Sequence, residues 1–203
     1  MRTLMNWVIV LSIPALLAVP ATGQEMIHPE GTTIKLILLR QKSVQEELKV
    51  SDDLKKQIND FTEKQHEAFL KSAKLDEAER KAKHEAMEKE NAKFVKDSLS
   101  AAQVKRLDQI AMQFAALHHL LKPENSRALK LSDEQIDKLK ELQKDSRSEL
   151  EKVFTSKEGR TEKFAKLRAD TRTKILAILN DTQKEHAREL AGPPFTGEIV
   201  FED

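Results

Sequence analysis

Between Ile34 and Phe195 the apolar residues of this chain recur three or four positions apart, the spacing that lines them up on one face of an α-helix. Leu54, Ile58, Phe61, Gln65 and Phe69 share one such face. Ile136, Leu139, Leu142, Ser146, Leu150 and Val153 share another, and Val104, Leu107, Ile110, Ala111, Phe114 and Leu117 a third. Within this span glycine occurs only at Gly159 and Gly192, and proline only at Pro123 and the pair Pro193-Pro194, so the helix stops are few. Polar breaks at Lys71-Ser72-Ala73-Lys74 and at Thr155-Ser156-Lys157-Glu158-Gly159 divide out-going from returning helices. The returning helices are predicted at about Asp76 to Ser98 and Thr161 to Leu179. Pro123 is expected to end one helix, and Gly192 with the double proline to end the last. The remaining chain then forms an extended tail on the surface, in which Gly197 to Phe201 is the one β-like run. The pattern predicts an all-α protein of extended antiparallel helical hairpins.

A short phrase recurs at the starts of these helices: Val50-Ser51-Asp52-Asp53-Leu54, Leu99-Ser100-Ala101-Ala102-Gln103, Leu131-Ser132-Asp133-Glu134-Gln135 and Leu179-Asn180-Asp181-Thr182-Gln183. Val50 and Leu131 stand 81 residues apart, and Leu99 and Leu179 stand 80 apart. A period of that kind marks an internal duplication. It divides the chain into a first unit over 34–123 and a second over 124–191, followed by a tail over 192–203.

The phrase has a direct physical meaning. Ser132 is an N-cap, and Gln135 three residues on can reach back to its backbone amide, which makes a capping box. Leu131 and Ile136 supply the hydrophobic staple around it, as Leu99 and Val104 do around Ser100 and Gln103. Each box satisfies backbone N–H groups that a helix start leaves open, worth about 1 kcal/mol. The first copy has Leu54 where glutamine is expected, so Ser51 and the acidic pair Asp52 and Asp53 are left to favour that start. The fourth keeps Asn180 and Gln183, but Lys184 replaces the apolar staple partner, and its helix is expected to fray more readily than the one opened at Ser132.

The N-terminus changes the picture of where the protein acts. Arg2, the apolar run Val8 to Ala18 and the small residues Ala21-Thr22-Gly23 form a secretory leader over 1–23, ahead of a flexible mature N-terminus over 24–33. The apolar run is interrupted by Pro14 and is shorter than the ~20 residues a membrane span needs. With no cysteine there is neither a lipidation site nor a disulfide. The expected product is an exported protein, most simply periplasmic. Removing Arg2 leaves 34 basic against 34 acidic residues, mixed along the chain. No basic stripe for nucleic acid is present, nor the basic polar face and tryptophan anchors of a membrane-surface helix.

Exported, cysteine-free and helix-rich, with these four phrases, the chain from about Leu36 to Ala191 resembles the Leu-Thr-x-x-Gln motif family of Spy-like and CpxP-like periplasmic proteins. Serine or asparagine stands here where that family usually has threonine. The resemblance implies a long bent helical hairpin closed by short motif helices, pairing into a cradle-shaped dimer. It also implies an ATP-independent holdase for unfolded envelope proteins, or a stress- or metal-responsive accessory protein. The duplication would let one chain build what the family builds from two.

A holdase needs amphipathic faces with charges that attract a client and apolar atoms that hold it. Phe61, Phe69, Met87, Phe94, Met112 and Phe114 are the candidate client-binding residues, on faces ringed by lysine and glutamate; the same positions are also those a helix interface buries. No nucleophile elbow, phosphate loop or cysteine nucleophile suggests an enzyme. The one candidate for metal chemistry is zinc: His66 and His84 lie equally far from the break at Lys74-Leu75, so a hairpin brings them level, with Glu67 or Glu88 nearby. His118-His119 is a poorer pair, since helix neighbours diverge by about 100°. A dedicated envelope partner for the amphipathic helices is the third possibility.

Overall fold

The computed structural model describes residues 31–156 and 158–200. The stretch expected to be a leader over 1–23, the stretch 24–30 and Phe201 lie outside them. The described residues are all helical, without a strand. In order the helices are α1 (Thr32–Leu39), α2 (Lys42–Glu47), α3 (Asp52–Ser72), α4 (Glu77–Ser98), α5 (Ala101–Phe114), α6 (Ala116–Leu120), α7 (Pro123–Ala128), α8 (Asp133–Thr155), α9 (Arg160–Ile178) and α10 (Asp181–Ala191).

The helix starts follow the capping chemistry. Ser100, Ser132 and Asn180 each form a complete capping box with Gln103, Gln135 and Gln183. Ser51 accepts only from the Leu54 amide, as expected where glutamine is missing. Asp76 and Glu79 form a further box at the start of α4. α2 and α7 end alike: Lys49 and Lys130 adopt left-handed φ of 52° and 49°, and the Val50 and Leu131 amides reach back to the carbonyls of Gln45 and Ser126. This is a Schellman turn, which glycine usually occupies; a lysine there costs on the order of 1 kcal/mol.

Two hydrophobic cores result. The first joins α1 and α2 to Ile58, Val95, Leu99 and the α5 residues Leu107, Ile110 and Ala111. The second joins Leu117 and Leu120 of α6 to Leu129, Leu139, Leu142, Ile175 and Leu179. Counterparts at the repeat spacing occupy them: Leu36 and Leu117, Leu39 and Leu120, Leu48 and Leu129, Ile58 and Leu139, Val95 and Ile175, Leu99 and Leu179. α8 and α9 lie closely along one another, whereas α1 packs against α3, α4 and α5, and α10 packs against α5.

Three details differ from the sequence expectations. The helix begun at Ala101 breaks at Ala115, with φ −123° and ψ 49°, and resumes as α6. Pro123 does not only stop a helix; it is the first residue of α7, where its missing N–H is harmless. Gly31 to Thr33, at the end of the stretch expected to be flexible, are pinned. The Glu88 carboxylate of α4 accepts from the Thr32 and Thr33 amides at 3.0 and 3.2 Å and from both threonine hydroxyls. The Gly31 amide donates to His118 Nε2 at 3.1 Å. α1 has no side-chain cap of its own, and a carboxylate at its positive end supplies one from another helix.

Candidate functional site

The motif glutamines do more than cap. Gln103 Nε2 donates to the Leu48 carbonyl at 2.8 Å, tying the start of α5 to the turn after α2. Gln135 Nε2 donates to the Ile178 carbonyl and to Gln183 Oε1, both at 2.8 Å. Gln183 Nε2 returns a bond to Gln135 Oε1 at 2.9 Å and reaches the Lys130 carbonyl at 3.3 Å. Boxes far apart in sequence therefore meet at the open end of the α8–α9 hairpin, through an amide pair in which each carbonyl also holds its own helix start. Leu54, in place of the equivalent glutamine, packs against the first core instead.

The six candidate client-binding residues are engaged inside the molecule. Met87 and Met112 are buried, at 8% and 6% exposure. Phe61 and Phe94 are half-buried and stacked face to face at 4.0 Å between α3 and α4. Phe69 stacks on His84 at 5.6 Å. Phe114 meets the edge of Phe195 at 6.2 Å, and the Arg168 guanidinium lies 3.6 Å from its ring centre. In this arrangement the six residues take the second of the two places their spacing allows, in helix interfaces, where an aromatic on a core-facing register finds a partner on the next element.

The α3–α4 seam is unusual in being polar. Gln65 Nε2 donates to Glu90 across it at 2.8 Å, and Ser72 meets His84; Thr62 and His66 of α3 and Asn91 of α4, whose amide reaches Thr33 of α1, are buried too, and Gln65 Oε1, His66 Nδ1 and Asn91 Oδ1 have no hydrogen-bond partner. His66 and His84 do not assemble a metal site. His84 Nε2 lies 2.9 Å from Ser72 Oγ, which gives its single proton to the Phe69 carbonyl at 2.6 Å; the imidazole is therefore the donor. Burial pushes the pKa of both histidines down, with Arg40 acting beside His66 and Arg80 beside His84. Glu67 pairs with Lys71, and Glu88 caps α1. Among the described residues no three His, Cys, Asp or Glu side chains gather closely enough to hold a metal ion.

His118 and His119 have separate roles. His118 accepts from Gly31. His119 is 5% exposed with Nε2 unpartnered, and burial, then Lys122, His118 and Lys35, hold its pKa down to about 3.

Two features escaped the sequence. An open cavity of about 910 Å³ lies between α5 and α10, with Leu99, Val104 and Leu190 among lysines, Asp108 and Glu189. The C-terminal tail does not lie loosely on the surface: Ile199 is 8% exposed and belongs to the first core, and Phe195 packs against that core. The only signal for this was the apolar spacing of Phe195 and Ile199 after the double proline.

No family model matches this chain, and neither does any curated protein or solved structure. No described helix is long and apolar enough to cross a membrane.

Proposed function

We propose that this protein is an exported, periplasmic, ATP-independent holdase of the Leu-Thr-x-x-Gln type, built from two tandem hairpin units, that binds unfolded envelope proteins on amphipathic helical surface. The α3–α4 hairpin carries this reading. Its two helices bury three polar atoms without partners, one of them Gln65 Oε1 beside the contact with Glu90, and each costs about 1 to 3 kcal/mol relative to water. Parting the helices at the Gln65–Glu90 contact returns Gln65 Oε1 to solvent, which offsets part of the lost contact. It also bares Phe61, Phe94 and Met87 beside a charged rim. Leu70 and Leu75 at the hairpin tip are already exposed, at 40% and 36%. An apolar surface that opens at low cost suits weak, unselective capture of chains.

The test is aggregation of an unrelated unfolded protein. The mature chain is expected to suppress it at near-stoichiometric amounts without nucleotide. Absence of suppression at tenfold excess would refute the holdase reading and leave a protein that docks on a dedicated partner.

A further inference from the structure

The tail from Pro193 to Val200 is non-helical, bends at Pro193 and Gly197, and its backbone is held by side chains of the first half. Gln113 Nε2 donates to the carbonyls of Ala191 and Pro193 at 2.7 and 2.9 Å, and Gln113 Oε1 accepts from the Phe195 amide at 2.8 Å. Arg106 Nη1 donates to the Pro193 carbonyl at 2.8 Å. Ser43 Oγ donates to the Glu198 carbonyl at 2.5 Å. Gln41, itself 5% exposed, brackets Val200, accepting from its amide at 3.1 Å and donating to its carbonyl at 3.4 Å.

None of these bonds reads a tail side chain. Selection rests on alternation: Phe195, Gly197 and Ile199 face the protein, while Pro194, Thr196, Glu198 and Val200 are exposed. Phe195 and Ile199 lie on either side of the bend at Gly197 and fill apolar ground beside Phe114 and in the first core. Between them a Cβ on Gly197 would lie 2.4 Å from the tail's own Phe195 ring and 2.6 Å from Ser43 Cβ, so with an aromatic two positions before it the middle position takes only the smallest residue. Main-chain bonds for affinity and pockets for alternate side chains are the means by which proteins bind extended peptides.

We propose that this trough on α2 and α5 is a binding site for extended polypeptide, with apolar residues two positions either side of a small one, and that the chain's own tail is its resident occupant, which an unfolded client displaces. The identity of the ligand rests on the holdase reading. A tethered occupant acts at an effective concentration in the millimolar range, so free chains gain the trough only when they are abundant or engage the protein elsewhere as well.

The test uses the full chain with Phe195→Ala and Ile199→Ala, which loosen the tail, and a fluorescent peptide copying residues 192–203. The peptide is expected to bind this variant at least tenfold more tightly than the parent, since the site is no longer filled. A reduced, alkylated, permanently unfolded polypeptide is expected to compete it off, and adding Ser43→Ala with Gln113→Ala to abolish binding. Equal binding to parent and variant would overturn the proposal, as would failure of the unfolded polypeptide to compete, which would make the trough a clasp for the tail alone. Should the variant lose helicity, the parent supplies the readout: excess unfolded polypeptide is expected to raise amide exchange at Phe195 and Val200 and not along α8 and α9. Unchanged exchange there, in a protein that suppresses aggregation, sinks this proposal and leaves the holdase reading standing.

Discussion

Acidification should loosen this protein through His119. Its ring is buried, its Nε2 has no partner, and its pKa lies near 3 against an ordinary 6.5. A folded-state pKa below the unfolded value means that the unfolded chain takes up the proton first. The contribution to stability is therefore complete above pH 6.5 and is lost as the pH falls toward 3. At pH 5 an unfolded histidine is protonated by roughly thirtyfold over its neutral form while His119 stays neutral, so the fold loses about 2 kcal/mol relative to pH 7. His66, His84 and His118 are shifted in the same direction and deepen the loss. The share due to His119 is isolated by His119→Leu. Urea unfolding followed by circular dichroism at pH 7 and pH 5 should give parent and variant losses that differ by about 2 kcal/mol. The carboxylates with lowered pKa, Asp52, Glu134 and Asp181, titrate below this window and do not interfere. Equal losses in the two chains, or a His119 proton resonance titrating near 6.5, would refute the reasoning.

Other predictions concern the ties between elements. Gln135→Ala removes a cap bond, the bond to Ile178 and the pair with Gln183, and should cost about 2 to 3 kcal/mol in urea unfolding; a loss under 0.5 kcal/mol would reduce the motif glutamine to a local cap. Glu88→Ala uncaps α1 and should cost about 1 to 2 kcal/mol, with faster exchange of the Thr32 and Thr33 amides and no change in α8. Lys184→Leu restores a staple partner for Leu179 and should stabilise the start of α10 by about 0.5 to 1 kcal/mol, read as slower exchange in its first turn.

Local chemistry was legible in the sequence, and side chains that act at a distance were not. A capping box is complete within four residues, so Ser100, Ser132 and Asn180 could be identified from their neighbours, and the defect at Leu54 with them. The second bond of each glutamine could not, because Nε2 finds a carbonyl 43 to 55 residues away. Periodicity identified Phe61 and Phe94 as residues of a helical face but carried no record of what that face meets. Glu88 is one of 34 acidic residues, and nothing near it in sequence distinguishes a cap for a helix 55 residues upstream. Ala115 breaks a helix with neither glycine nor proline, and no local rule flags it. The clasp on the tail joins Gln41 and Ser43 to residues 155 to 159 positions later and leaves no periodic trace.

That last arrangement bears on how the chain comes to fold. Ile199 helps wall a core whose other members begin at Leu36, so that core is sealed only when residues 163 positions apart in sequence meet. The buried members of the second core run only from Met112 to Leu179, with Ala187 and Ala191 packed against them, so its contacts close shorter stretches of chain. The entropy of loop closure therefore weighs more on sealing the first core than on sealing the second.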